Sequence, residues 1–77
     1  MSVGHQRADM VKPGQRVVVD ASWCPVVDHK PGGAQYVPGQ PAGFDTWILI
    51  VNVNGSLREI RYKRTEQIAV KPPITAW

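Results

Sequence analysis

The pair Asn54-Gly55 is the feature that most constrains the fold of this chain. Asn-Gly is a favoured pair for the two-residue type I′ turn of a β-hairpin, because both central residues of that turn need a positive φ. Residues 46–53, TWILIVNV, precede it and give the strongest strand signal in the sequence, and strand-forming residues also follow it. The sequence therefore predicts a hairpin centred on this pair.

The two-residue turn also fixes which side chains share a face. Counting outward from Val53 opposite Ser56 pairs Val51 with Arg58, Leu49 with Ile60, and Trp47 with Tyr62. Directly opposed residues lie on the same face of a sheet. One face is therefore apolar, and we predict that it forms the core, with the residues Trp47, Leu49, Val51, Ile60 and Tyr62.

The opposite face of the hairpin is mixed. It carries Ile48 beside Arg61 and Ile50 beside Glu59. Aliphatic side chains on an outer face indicate a cover or a partner, because soluble proteins rarely leave contiguous apolar patches open. We expect the cover to come from a terminal segment, a long loop or another molecule.

Further strands are predicted on both sides of the hairpin. Pro13-Gly14 precedes a valine-rich strand at residues 16–20, and residues 67–70 resume the alternation with Ile68 and Val70 inward. The apolar run 22–27 contains Pro25, which indicates an edge strand or an irregular extended segment. No segment predicts a helix longer than one turn, so the expected class is all-β.

The two ends of the chain lack a clear period. Residues 1–12 are interpreted as an N-terminal arm or a poorly ordered lead-in. Residues 71–77 are interpreted as an extended tail, because Pro72 and Pro73 block a central strand. The predicted organisation is therefore an arm, a small barrel over residues 13–70, and a tail.

Size and composition limit the function classes. A chain of 77 residues forms one domain and buries a modest core. The single cysteine, Cys24, cannot form an internal disulfide, and with His5 and His29 as the other soft ligands no zinc spacing exists, so no cofactor or metal is predicted. No signal peptide or apolar span is visible, which predicts a cytoplasmic protein, or a virion protein if a phage encodes it, with no membrane partner.

The order of elements carries a resemblance. A valine-rich strand after Pro-Gly, a long irregular loop, a tight hairpin, a one-turn connector and a short last strand follow each other, and residues 55–70, GSLREIRYKRTEQIAV, carry the likeness best. In this order the chain resembles the SH3-like small barrels. The resemblance implies four to five antiparallel strands with a long Gly/Pro-rich loop, and binding rather than catalysis. Small SH3-like proteins also recur among phage head, tail and accessory proteins.

Three subgroups of that superfamily match the chain poorly. Gly14-Gln15-Arg16-Val17 resembles the start of a KOW module, but the glycine that should follow comes only at Gly32. The acidic loop of peptide-binding SH3 domains is absent. The Val-Gln-Ile-Tyr strand that lines the active pore of the tetrameric plasmid-type dihydrofolate reductases is also absent. An oligomeric enzyme with a site on a symmetry axis is kept as a second alternative.

The Gly/Pro-rich stretch 29–45, HKPGGAQYVPGQPAGFD, is the predicted recognition loop. Loops longer than ~12–15 residues are usually functional or disordered. Together with the outer face and the C-terminus, it gives the predicted protein-binding residues Tyr36, Val37, Phe44, Ile48, Ile50 and Trp77. The leading hypothesis is therefore a non-enzymatic protein-interaction module, a small structural or accessory component of a larger assembly such as a phage particle, whose partner is another protein or a second copy.

The first alternative is nucleic-acid binding. The chain has a net charge of +3, and its basic residues are dense near the end of the hairpin. A patch beside Tyr62 would suit phosphate contacts; the competing interpretation is a soluble edge that resists aggregation. The candidate residues are Arg61, Lys63, Arg64 and Lys71. Catalysis is not predicted, since only the neighbours Asp28 and His29 offer an acid-base pair.

Overall fold

Six antiparallel strands form one sheet across the residues that the computed structural model describes, 3–36, 38–39 and 43–73. The all-β expectation is confirmed, with more strands than the four to five expected, and the sheet is open. A single 3₁₀ turn, Ala8–Met10, is the helical element of this part of the chain. The strands are β1 (Gly4–Arg7), β2 (Arg16–Val19), β3 (Ser22–Gln35), β4 (Phe44–Val53), β5 (Ser56–Lys63) and β6 (Gln67–Lys71).

The strands lie side by side in the order β1-β6-β2-β3-β4-β5. The β4–β5 hairpin has the predicted register, from Val53 opposite Ser56 to Trp47 opposite Tyr62. Asn54 and Gly55 have φ values of 52° and 87°, as a type I′ turn requires. The predicted core face is also confirmed, because Leu49 and Val51 are fully buried and Trp47, Ile60 and Tyr62 pack against the core.

Strand β3 is longer than the sequence indicated. Its first residues pair with β2, ending at Arg16 opposite Pro25, and its pairing with β4 begins at Val26 opposite Val51. Pro25 thus lies where the strand changes partner, so its missing N–H removes no ladder bond to β4. Residues 29–35 and 44–45 of the predicted recognition loop belong to strands β3 and β4.

The N-terminal segment, expected as an arm, contributes to the fold. β1 pairs with β6, from Gly4 opposite Val70 to Arg7 opposite Gln67. Beyond β1, the Ala8 N–H donates to the Glu66 carbonyl oxygen at 2.9 Å. Ala8 and Val11 are both fully buried, and Val11 belongs to the main core cluster. This segment therefore covers one end of the core.

The main core cluster is aliphatic. Cys24 is buried within it as a small apolar side chain. The residues that form the cluster are Val11, Val17, Val19, Cys24, Val26, Leu49, Val51, Val53 and Val70. At the C-terminal end, Arg16 Nε donates to the Pro72 carbonyl oxygen at 2.9 Å. Trp77 lies outside the described residues.

Candidate functional site

A two-stranded ribbon extends beyond the rest of the sheet. The last residue of β5, Lys63, pairs with Thr46, so β3 is the paired strand of the β4 residues before Thr46. One backbone hydrogen bond beyond β5, from the Arg64 N–H to the Asp45 carbonyl oxygen at 2.9 Å, also reaches the ribbon. We define the ribbon as residues 33–36 and 43–46. The protein measures 51 × 26 × 20 Å along its principal axes, an elongation that fits strands running past the sheet. Such a ribbon has no second layer to bury its side chains.

Tyr36 lies at the end of the ribbon and is 74% exposed. Its ring lies over the backbone of Gly43: a Cβ added to Gly43 would come 2.6 Å from Tyr36 Cδ1, closer than real Cβ contacts allow. The absence of a side chain at Gly43 therefore leaves room for the Tyr36 ring. Next to it, Phe44 is half-buried beneath Lys63, whose Nζ lies 5.0 Å from the ring centroid. Val37, also predicted as a contact, lies outside the described residues.

The base of the ribbon, formed by Gly32, Thr46 and Arg61, ties it to the sheet. The register shifts between Pro31 and Gly33, which leaves Gly32 as a bulge. Arg61 Nη1 donates to the Gly32 carbonyl oxygen at 2.7 Å and to Thr46 Oγ1 at 2.8 Å. Thr46 Oγ1 in turn donates to the Gly33 carbonyl oxygen at 2.8 Å. A Cβ on Gly32 would lie 2.8 Å from Arg61 Nη1, so glycine is needed for this contact.

The outer face of β4 is partly covered by its own neighbours. Ile48, predicted as a protein contact, is only 6% exposed. It lies between Lys30 on β3 and Arg61 on β5, and Lys30 Nζ is 3.2 Å from Glu59 Oε2. The aliphatic stems of such long charged side chains cover apolar surface. Ile48 is therefore not accessible to a partner, whereas Ile50 is half-buried and part of it remains exposed.

The four basic residues of the nucleic-acid hypothesis have internal partners. Arg61 belongs to the base of the ribbon, and Lys63 lies over Phe44. Lys71 lies at the end of β6, with Nζ 4.7 Å from the ring centroid of Trp23. Gln67, where β6 begins, is roughly 13 Å from Lys71 along an extended strand. Lys71 is therefore separated from the turn that follows β5, whereas Arg61 and Lys63 lie two residues apart on the same face of β5.

Arg64, the fourth basic residue, belongs to a cluster at the end of the core. Its Nε lies 3.1 Å from Asp9 Oδ2, and Arg7 Nη2 lies 2.9 Å from the same oxygen. The Asp9 side chain is 9% exposed. Burial by itself raises the pKa of Asp9, but the hydrogen bonds and charges of Arg64 and Arg7 outweigh it and hold that pKa below its usual value of 3.8.

The same cluster continues onto two rings. The Arg64 guanidinium lies 5.4 Å from the Trp47 ring centroid, and the His29 and Trp47 rings are 5.6 Å apart. Three buried polar atoms here have no hydrogen-bond partner among the described residues: Asp9 Oδ1, His29 Nδ1 and Trp47 Nε1. Sequence reasoning missed this cluster, because its members are spread from residue 9 to residue 64.

The Asp28 and His29 side chains do not hydrogen-bond to each other. Neighbouring residues of a strand point to opposite faces. The contact between them is from the His29 backbone N–H to Asp28 Oδ1, at 2.8 Å, while the His29 ring faces Trp47. Among the described residues, no three His, Cys, Asp or Glu side chains are grouped to hold a metal ion. Within the same ranges, no helix is long and apolar enough to cross a membrane.

No protein-family model, curated protein or solved structure matches the chain.

Proposed function

We propose that the protein is a non-enzymatic interaction module that contacts a partner protein through the ribbon. The observation that carries this proposal is Tyr36, an aromatic side chain 74% exposed at the end of a strand pair that is tied down at its base. Tyrosine is enriched among the residues that dominate protein interfaces. An exposed aromatic side chain that lies over the Gly43 backbone presents a large contact area.

The base of the ribbon supports the same function. Two hydrogen bonds of 2.7 and 2.8 Å from Arg61 on β5 reach Gly32 and Thr46, and a third, of 2.8 Å, joins Thr46 on β4 to Gly33 on β3. A binding element that is ordered before association loses less conformational entropy when it binds. The glycines that the sequence places here thus serve close packing at Gly32 and Gly43 rather than flexibility.

A finer assignment is part of this proposal. The order of strands, the tight hairpin and the small all-β sheet are compatible with the SH3-like barrel that the sequence resembles. We include in the proposal that the chain is a small structural or accessory component of a larger assembly, such as a phage particle. A projecting ribbon on a small domain suits that role, because it reaches past the body of the domain.

Nucleic-acid binding is the weaker alternative. Each of its four basic residues already contacts a partner within the protein, and Lys71 lies at the end of β6 far from the turn that follows β5. Binding to phosphates predicts an affinity that falls steeply as salt rises. Mixing the protein with DNA and RNA at low and high salt tests it: no shift at low salt removes this alternative.

Site-specific photo-crosslinking tests the ribbon. A benzophenone amino acid in place of Tyr36, in an extract of the organism that encodes the chain, should give a discrete protein adduct. An excess of the unmodified protein should compete the adduct away, and the Tyr36→Ala protein should compete poorly. The matched control places the same crosslinker at Thr65, an exposed turn residue that lies outside the ribbon.

The outcomes of this experiment are distinct. An adduct from position 36 that only ribbon-intact protein competes away supports the proposal. The absence of a competed adduct, or the same adduct from position 65, contradicts it. Circular dichroism of each variant checks that the fold is retained.

A further inference from the structure

Strand β5 forms an edge of the sheet. Among the described residues its only paired strand is β4. Because Val53 and Ser56 flank a two-residue turn, they form a hydrogen-bonded pair, and alternate pairs up the hairpin do the same. The backbone groups of Leu57, Glu59 and Arg61 therefore point away from β4. This edge presents a row of unpaired donors and acceptors.

We propose that two copies of this chain pair antiparallel through β5, with Ile60 of each copy on the two-fold axis. In this arrangement Glu59 of each copy faces Arg61 of the other. Reciprocal backbone hydrogen bonds join these two positions, since both have outward-facing N–H and C=O groups. The pairing shares Arg61 with the base of the ribbon but uses none of residues 33–36 and 43–46, so it leaves the Tyr36 surface of the proposed function free.

Two features favour this register: the alternation of backbone groups that point outward from β5, and the charges of the opposed side chains. A shift by one residue would place residues such as Ile60, whose backbone N–H and C=O groups already bond to β4, opposite the outward-facing groups of the other copy, so the hydrogen bonds between copies could not form. A shift by two residues in one direction sets Glu59 against Glu59, and in the other direction Arg61 against Arg61. Like charges directly opposed in a sheet are destabilising, whereas opposite charges stabilise. The shift that opposes Arg61 with Arg61 also places Glu59 opposite Lys63, so of these three registers only the centred one opposes unlike charges without also opposing like charges.

The side chains on both faces fit the centred register. On the core side, Arg58 of each copy lies opposite the Tyr62 ring of the other, a pairing that favours a cation–π contact. On the outer side, Arg61 uses Nη1 for the base of the ribbon, which leaves its other nitrogens for the second copy's Glu59. Lys30 already contacts Glu59 at 3.2 Å, so the new pair extends an existing row of charges.

In the proposed dimer the Ile60 residues of the two copies lie directly opposite each other, which allows a crosslinking test. Residues opposed in a non-hydrogen-bonded antiparallel pair have Cα atoms ~4.5 Å apart, within the ~4.4–6.8 Å that a disulfide spans. Ile60→Cys should therefore form a covalent dimer when copper phenanthroline oxidises it. Both this variant and its control carry Cys24→Ala, which removes the buried native thiol.

The matched control is Arg58→Cys, on the same strand and face. In the centred register the two copies of position 58 are roughly 13 Å apart along the strand, too far for a disulfide. A covalent dimer from position 60 and none from position 58 supports the proposal. Dimers from both positions, or from neither, overturn it.

Sedimentation provides a readout without cysteine, in case Ile60→Cys perturbs the core. The wild-type protein should show a concentration-dependent monomer–dimer equilibrium. Glu59→Lys places a lysine opposite Arg61 of the other copy, and the two-fold axis repeats this repulsion. The substitution should therefore raise the dimer dissociation constant by about tenfold or more. Lys30→Gln removes the same internal ion pair while β5 is unchanged, and it should shift the constant by less than about threefold. A monomeric mass at every concentration up to the solubility limit overturns the proposal.

Discussion

Ala21 has a φ of 63°, in the left-handed region that a side chain with a Cβ disfavours. With Asp20 at 51° it forms the two-residue turn between β2 and β3, since Val19 lies opposite Ser22. Type I′ geometry matches the twist of the paired strands, so the hairpin imposes it even on alanine. Asp20 adds a contact, because its Oδ2 accepts from Arg58 Nη1 at 2.8 Å. This turn was not predicted from sequence, because alanine carries no turn signal.

The strained alanine leads to a prediction. Ala21→Gly should stabilise the protein by about 0.5–1 kcal/mol, because relief of the left-handed strain outweighs the extra entropy of glycine in the unfolded chain. Urea unfolding followed by circular dichroism measures it. Gly55→Ala, at a φ of 87°, is the control with the opposite expected sign. A destabilised Ala21→Gly protein would contradict the strain argument.

Asp9 makes stability depend on acid pH. Because its folded pKa lies below 3.8, the folded state binds its proton less readily than the unfolded state. The stability that Asp9 contributes is present above the unfolded pKa and is lost as the pH falls through the folded value. Asp9→Asn should therefore flatten the fall in the free energy of unfolding below about pH 4. Urea unfolding at several acid pH values checks this, with Asp45→Asn as the control for removal of an exposed carboxylate.

At the scale of elements, the length of β3 decides the shape of the molecule. The strand has 14 residues and pairs with β2 at one end and β4 at the other. Pro25 and the glycines of the recognition stretch indicated interruptions. Pro25 instead lies at the change of partner, and Gly32 is absorbed as a bulge that Arg61 fills. The predicted loop is therefore, over much of its length, a ribbon continuous with the sheet.

Thr46 is the buried polar residue on which the ribbon's base depends. It is 2% exposed, accepts from Arg61 and donates to Gly33. Thr46→Val keeps the shape but leaves both partners short of a hydrogen bond, and we expect a loss of about 1–3 kcal/mol in the free energy of unfolding. Thr65→Val, on an exposed turn, should change it by less than about 0.5 kcal/mol. If the two substitutions lower the free energy of unfolding equally, the hydrogen bonds of Thr46 at the base of the ribbon do not stabilise the fold.

At the scale of the whole molecule, a segment near the chain's start covers one end of the core. β1 adds to the sheet beside β6, and its continuation places Ala8 and Val11 against the core while Asp9 binds Arg64. The Asp9 N–H also donates to the Arg64 carbonyl oxygen at 3.2 Å. The fold thus depends on contacts between residues more than fifty positions apart in the chain. The boundary predicted after residue 12 places this segment outside the barrel.

The contribution of this segment is measurable at Val11, which is fully buried. Val11→Ala should cost about 2 kcal/mol in the free energy of unfolding, from lost burial and the cavity left behind. Val18→Ala is the matched control, since Val18 is 45% exposed, and it should cost less than about 0.5 kcal/mol. If both variants cost the same, the N-terminal segment is not part of the core in solution.

The sequence by itself determined the β4–β5 register, the core face with Leu49 and Val51, and the inward Val70. These features depend on the Asn54-Gly55 turn and on the alternation of apolar residues along each strand, and both are visible within a few neighbouring residues. The tertiary structure decided what β1 pairs with, how far β3 runs, and where Arg61 and Arg64 bind. β1 has no apolar alternation to signal a strand, and Arg61 meets Gly32 only after two strands have paired. The sequence placed Tyr36 in the predicted recognition loop, but the ribbon that exposes it exists because β3 and β4 pair their backbone groups and Arg61 of β5 bonds to both strands.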